Sequence, residues 1–279
     1  MDRRRLLGLA AAFTAAPALL RAAEPIRLGL TPVFLDNDAE VIARLRDAIG
    51  QGTGRPIDLI QRRTYQEVTC LLLEGGVDAA WLCGFPFLQH EAALSLLGVP
   101  VWQGTPLYRS YLIVAADDSA TGLAELEGGT HAFSDPDSNS GWLVTASDLA
   151  RMGQRPETFF QRTLFTYGHR NVVRAVAGGL TRSGSVDGYV WEALARVEPG
   201  LTARTRVISQ SEQLGFPPFV ARRERTGDAA IGALRAALLS LSDTAPGRAA
   251  LDLLQLDGVV PGDLSLFDGI RLRMKDVAG

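Results

Sequence analysis

Ser138, Asn139, Ser140 and Gly141 stand where a strand pattern, residues 130–134, gives way through Asp135-Pro136-Asp137 to a helical pattern beginning near Trp142. Pro136 ends the strand. Side-chain donors from two serines and an asparagine then meet the unpaired N–H groups of a helix start, where the macrodipole favours negative charge. The chemistry this spacing allows is the seating of an oxyanion. The same residues also serve as ordinary helix caps, and on this stretch alone that alternative stays open. His169 stands before a second short helical run, while His90 and His131 lie in ordinary helical and strand contexts, as solvent-facing or hydrogen-bonded side chains.

Covalent and metal chemistry have less support. Cys70 and Cys83 are the only cysteines and form no CxxC pair, so no metal is expected. Cys70 falls on a helical run with Val68, Leu71 and Leu72 and reads as a buried, inert thiol. Cys83, at a strand end, reads as either bridged to Cys70 or free. The chain has no Gly-x-Ser-x-Gly elbow, no phosphate-loop motif and no His-Glu-x-x-His helix. A Cys83/His169 nucleophile and base acting as a hydrolase is the less favoured reading, and no cofactor is implied.

The elements that must position these residues follow a repeated order. Residues 26–30, 57–60 and 78–82 read as strands, with helical patterns at 39–49 and 65–73 between them. This β-α-β-α-β alternation predicts a parallel sheet covered by helices, with ligands held beyond the carboxyl ends of the strands. A second α/β unit starts at residues 110–116 and runs through strands at 130–134, 164–167, 186–190 and 204–209. Residues 219–222 read as a return crossing, followed by helices at 229–241 and 247–256. The expected architecture is a two-lobed α/β clamp with crossings near residues 107–111 and 215–219. Its boundaries place residues 23–109 with 220–279 in lobe 1 and 110–219 in lobe 2; the alternative is one continuous α/β domain.

Residues 1–22 read as an export signal, with Arg3, Arg4 and Arg5 before an apolar centre at 6–20, a pattern also similar to a twin-arginine signal. A periplasmic address follows. Removing this segment takes four arginines and one aspartate with it, so formal charge moves from −3 to −6. Nucleic acid is excluded as a natural partner, and any anion must be held by local dipoles and hydrogen bonds. A monomer is expected.

Taken together, these motifs resemble the phosphonate-binding periplasmic proteins of ABC transporters, a family with phosphite-binding and arsenite-sensing relatives. The stretch Asp135-Pro136-Asp137-Ser138-Asn139-Ser140-Gly141 is similar to the family's Ser-Thr-Ser-Gly grip, with Asn139 in the threonine's place. Gly168-His169 followed by Val172, Ala175, Val176 and Gly178 resembles the histidine that contacts the oxyanion. Val186-Asp187-Gly188-Tyr189-Val190-Trp191-Glu192 is similar to a strand supplying ligand-facing side chains, which makes Tyr189, Trp191 and Glu192 candidates. Tyr65, after Thr64 in a Thr64-x-x-Glu67 capping box, matches a cleft aromatic. Trp81-Leu82-Cys83-Gly84-Phe85-Pro86-Phe87 departs from the family by carrying Cys83 and by placing Phe87 where a tyrosine is usual. A cysteine there is associated with the arsenite-sensing branch. The resemblance therefore implies a type II periplasmic-binding fold without catalysis, closing on a small phosphonate-, phosphite- or arsenite-like oxyanion. The partner is either an ABC permease or a membrane histidine kinase.

Overall fold

The computed structural model describes residues 23–32 and 39–279; the export-signal reading lies outside them. Apolar, β-branched runs form the first strands, β1 (Ile26–Leu30), β2 (Ile57–Gln61) and β3 (Ala79–Trp81), separated by helices α1 (Ala39–Thr53) and α2 (Tyr65–Leu73) and followed by α3 (Gly84–Gln89). The chain continues through β4 (Leu94–Val101), β5 (Leu107–Tyr108), β6 (Ser110–Ala115), β7 (Thr130–Phe133), α4 (Val144–Arg151), α5 (Pro156–Phe159), β8 (Arg162–Phe165) and α6 (His169–Ala177). It then forms β9 (Ser183–Asp187), α7 (Gly188–Val197), α8 (Pro199–Thr202), β10 (Thr205–Gln210), β11 (Leu214–Gly215) and β12 (Phe219–Arg222). The last elements are α9 (Ala229–Leu239), α10 (Ala245–Leu254), β13 (Gly258–Val260) and α11 (Asp268–Ala278).

Two sheets result. The first has the order β13-β4-β12-β3-β1-β2, and the second β10-β6-β9-β7-β8. Strands β1, β2 and β3 pair in parallel as the alternation predicts, but neither sheet is parallel throughout. β12 inserts antiparallel between β3 and β4, and β6 pairs antiparallel with both β9 and β10. β4 was not foreseen, because Gly98 and Pro100 interrupt its apolar run.

Between the sheets, Leu107 and Tyr108 pair antiparallel with Gly215 and Leu214, so both crossings run side by side as a short ribbon. Aromatic rings pack around it. Tyr108 lies 5.7 Å from Phe216, Phe216 lies 5.2 Å from Tyr189, and Tyr189 lies 5.9 Å from Trp102. A continuous apolar core therefore passes through the ribbon, while Phe133, Phe159, Phe160, Leu126 and Leu149 form a smaller core within the second lobe.

Candidate functional site

The turn after β7 is built by its own side chains. Asp135 accepts the Asp137 N–H at 2.8 Å and, from the other lobe, the N–H of Tyr65 at 3.1 Å. Ser138 caps the following helix by accepting the Gly141 N–H at 3.0 Å. The first turn is wide, closing by bonds from Leu143 N–H to Ser138 O and from Val144 N–H to Asn139 O. Such i→i+5 turns concentrate at functional sites. Gly141 is obligatory here, since an added Cβ would fall 1.8 Å from Ser134 Oγ and 2.7 Å from its Cβ.

Residues from the first lobe and the ribbon close over this turn. The Asn139 N–H donates to Cys83 Sγ at 3.3 Å, Asn139 Nδ2 donates to the Tyr108 hydroxyl at 2.8 Å, and Ser110 Oγ donates to Ser140 O at 2.7 Å. One helix-start amide is thus spent on the thiol. Ser134 Oγ and Asn139 Oδ1 are buried without a protein hydrogen-bond partner, and Ser140 Oγ, also buried, faces the Asp187 carboxyl and the Tyr108 hydroxyl without closing a hydrogen bond to either. A buried polar atom left so costs about 1–3 kcal/mol unless something supplies the bond.

Tyr65 begins α2 under the expected capping box, with Thr64 and Glu67 bonding reciprocally. Its hydroxyl meets His169 Nε2 at 3.1 Å across the lobes. The Asp187 N–H donates to His169 Nδ1 at 3.1 Å, so Nδ1 is an acceptor. Burial pushes the imidazole down to about 3, and it is neutral. A neutral ring accepting at Nδ1 carries its proton on Nε2, so His169 donates to the Tyr65 oxygen. The Tyr65 proton is left to donate elsewhere.

Burial dominates the remaining electrostatics. It pushes the Cys83 thiol up to about 12, which keeps it neutral, and the Asp187 carboxyl up to about 7. Asp187 caps α7 by accepting the N–H groups of Tyr189 and Val190. Among the described residues, no arginine or lysine hydrogen-bonds to this cluster. Any anion held here is held by neutral donors.

The cluster brings together Tyr65, Cys83, Ser138, Asn139, Ser140, Gly141 and His169. Four other candidates lie elsewhere. The expected strand at 186–190 ends at Asp187, and Gly188 starts a helix, which turns the following side chains away. The Tyr189 hydroxyl donates to Leu254 O at 2.6 Å beside the ribbon. Trp191 Nε1 donates to Thr205 Oγ1 at 3.1 Å, and Glu192 accepts from the Tyr111 hydroxyl at 3.2 Å, both within the second lobe.

Phe87 is fully buried against Phe267, at 5.2 Å. Residues 83–87 are not the expected loop but the start of α3, where positions two apart diverge by about 200°. Phe85 is the ring that faces the second lobe, stacked 6.1 Å from Trp142. Sequence reasoning also missed Tyr108, Ser110 and Asp187; for the last, Asp187-Gly188 before an apolar helical pattern was a readable cap signal. Both cysteines are free, and Cys70 is exposed rather than buried. His169 uses both ring nitrogens on Tyr65 and Asp187, so it is not placed as a base for Cys83.

Comparisons with known proteins address the whole chain. Residues 28–267 match the family described as "ABC transporter, phosphonate, periplasmic substrate-binding protein". No curated protein sequence matches. A binding protein component of an ABC phosphonate transporter from Pseudomonas aeruginosa superposes with a TM-score of 0.82 at 22% identity, over 90% of this chain and 87% of that one. PhnD1 from Prochlorococcus marinus, in complex with methylphosphonate, gives 0.78 at 15% identity over 91% and 98%. The aliphatic sulphonate binding protein SsuA from Escherichia coli gives 0.60 at 17% over 92% and 86%. These likenesses establish the two-lobed periplasmic-binding fold. The family match, which extends from β1 to the residues just before α11, decides membership: the chain belongs to the periplasmic phosphonate-binding proteins of ABC transporters, binding proteins rather than enzymes.

Proposed function

We propose that this protein captures a small phosphonate-class oxyanion between its lobes and presents the closed complex to an ABC permease. Residues 1–22 direct its export, and the lobes comprise residues 23–109 with 220–279 and residues 110–219. The observation that carries the reading is the buried interlobe cluster in which the Ser140 hydroxyl has no protein hydrogen-bond partner and the Tyr65 proton is unspent. Ser138 and Gly141 shape the turn, Ser140 and Tyr65 supply hydrogen bonds to the oxygens, and His169, by donating to the Tyr65 oxygen, aims the Tyr65 proton at them. Donors of this kind desolvate an oxyanion without a buried cation.

Cys83 borders the ligand as a neutral thiol. Arsenite capture uses thiolates, so the cluster favours phosphonate or phosphite over arsenite. Family membership supports the permease as partner rather than a sensor kinase.

The test is calorimetry of the exported form against methylphosphonate, phosphite, phosphate, arsenite and sulfate. Methylphosphonate or phosphite should bind, and Ser140→Ala should weaken it by about 1–3 kcal/mol through loss of a charge-assisted hydrogen bond. Binding by none of the five, or binding indifferent to Ser140→Ala, refutes the reading.

A further inference from the structure

Outside the buried cluster, a recess of about 520 Å3 opens between the lobes, lined by Leu30, Pro32, Arg62, Arg63, Glu67 and Tyr167 among others. It is built on the loops that deliver the inner pair, since Arg63 is two residues before Tyr65 and Tyr167 two before His169. Both arginines are exposed, yet each is anchored from the protein side. Arg62 donates to Gln61 O at 2.8 Å, and the Arg63 guanidinium lies over the Tyr167 ring, 5.3 Å from its centroid. A guanidinium stacked on an aromatic face leaves its in-plane N–H fork free for a carboxylate or phosphate.

Two further features fit an anion. Glu67, the only acid among the described lining residues, is turned into the helix cap, with Oε2 accepting from Thr64 N at 2.9 Å and Thr64 Oγ1 at 3.1 Å. Among the described residues, neither Arg62 nor Arg63 has a carboxylate within ion-pair distance. Tyr167 is held at φ +53°, a left-handed backbone that non-glycine residues seldom adopt and that marks a position fixed by its surroundings. The recess is thus a preorganised cationic step in an acidic protein, directly outside a cluster that has only neutral donors.

We infer that the recess binds a second acidic group of the ligand, so that the substrate class is an organophosphonate carrying a carboxylate, with its phosphonyl head in the inner cluster and its carboxylate between Arg62 and Arg63. This rests on the phosphonate reading and deepens it. The experiment is calorimetry of the exported form and of the Arg62→Gln/Arg63→Gln double variant against methylphosphonate, ethylphosphonate, phosphonoacetate and 3-phosphonopropionate, with thermal melting as a fold control for the exposed substitutions.

At least one phosphonocarboxylate should bind the unsubstituted protein about tenfold more tightly than ethylphosphonate, the scale of one charge-assisted hydrogen bond. The double variant should lose that advantage while holding methylphosphonate within about threefold, and added salt should shrink the advantage in the unsubstituted protein. Alkylphosphonates binding as tightly as phosphonocarboxylates, or an advantage that survives in the double variant, overturns the inference and leaves the phosphonate reading standing. Binding of none of the four overturns both.

Discussion

His169 illustrates how one backbone contact sets a side chain's chemistry. The Asp187 N–H fixes the proton on Nε2, and burial keeps the ring neutral down to about pH 3, so the same donor is presented throughout the neutral range. Three fully buried groups carry large shifts that make stability vary with pH. His131, between Ser183 and Ser185, and His169 are both pushed down to about 3 from 6.5, so between those values the folded protein binds fewer protons and stability rises with pH. Asp187 is pushed up from 3.8 to about 7, so across that window the folded protein binds more protons and stability falls with pH. The two histidines act together against Asp187, so net stability should rise with pH between 4 and 6, on a slope made shallower by the raised carboxyls of Asp135 and Asp137. Asp187→Asn removes the opposing group. It should be more stable than the parent by about 1–3 kcal/mol at pH 8, with the difference gone near pH 4, as urea denaturation at several pH values will show. A difference independent of pH would mean that Asp187 is not buried as a carboxylate. Of the residues in this cluster, Ser138, Asn139, Ser140 and Gly141 were legible as a helix start after a strand, whereas Tyr65, Cys83 and His169 were legible through the family resemblance. Tyr108 and Ser110 were not legible, because only the ribbon between the lobes brings them there.

At the scale of elements, an error of three residues in one boundary misplaced three side chains. Reading β9 through to residue 190 put Tyr189, Trp191 and Glu192 at a strand end, whereas Asp187 caps a helix that carries them into the second lobe and the ribbon core. Apolar periodicity is ambiguous over so short a run. The alternation of strands and helices was legible; the antiparallel insertion of β12 was not, since it depends on a pairing between residues far apart in sequence. The C-terminal helix shows the same limit. α11 lies on α4, the helix that follows the turn at residues 138–141, and its Arg273 is only 3% exposed. That guanidinium donates to Val144 O at 3.0 Å, to Asp148 at 2.7 Å and to both oxygens of Glu212 at 2.8 and 2.6 Å. Asp148 and Glu212 keep about 40% and 47% exposure, so water can take them over if the arginine is removed. Arg273→Ala should therefore cost about 2–3 kcal/mol, below the range for severing a fully buried pair, read as a lowered urea midpoint. A change under about 0.5 kcal/mol would show that α11 is not what secures α4.

At the scale of the whole molecule, the closed arrangement is expensive without a guest. Ser134 Oγ, Ser140 Oγ and Asn139 Oδ1 are removed from water with no protein partner, at about 1–3 kcal/mol each, whereas parting the lobes returns them to solvent. The two antiparallel crossings, Leu107–Tyr108 and Leu214–Gly215, supply a narrow connection about which such parting can occur. An oxyanion that accepts from the serine hydroxyls and, when monoprotonated, donates its P–OH to Asn139 Oδ1 binds the closed form preferentially and shifts the population towards it. The expected outcome in solution X-ray scattering is a radius of gyration that falls when methylphosphonate is added. The same addition, at about 100 times the dissociation constant, should stabilise the fold by about 2.7 kcal/mol. For a chain of this length that is a rise of about 5–10 °C in melting temperature. Ser140→Ala leaves one fewer unsatisfied hydroxyl in the closed form, so its ligand-free scattering should move towards the compact curve even as its affinity drops. Identical scattering with and without ligand, in both proteins, would exclude closure as the signal that a permease reads.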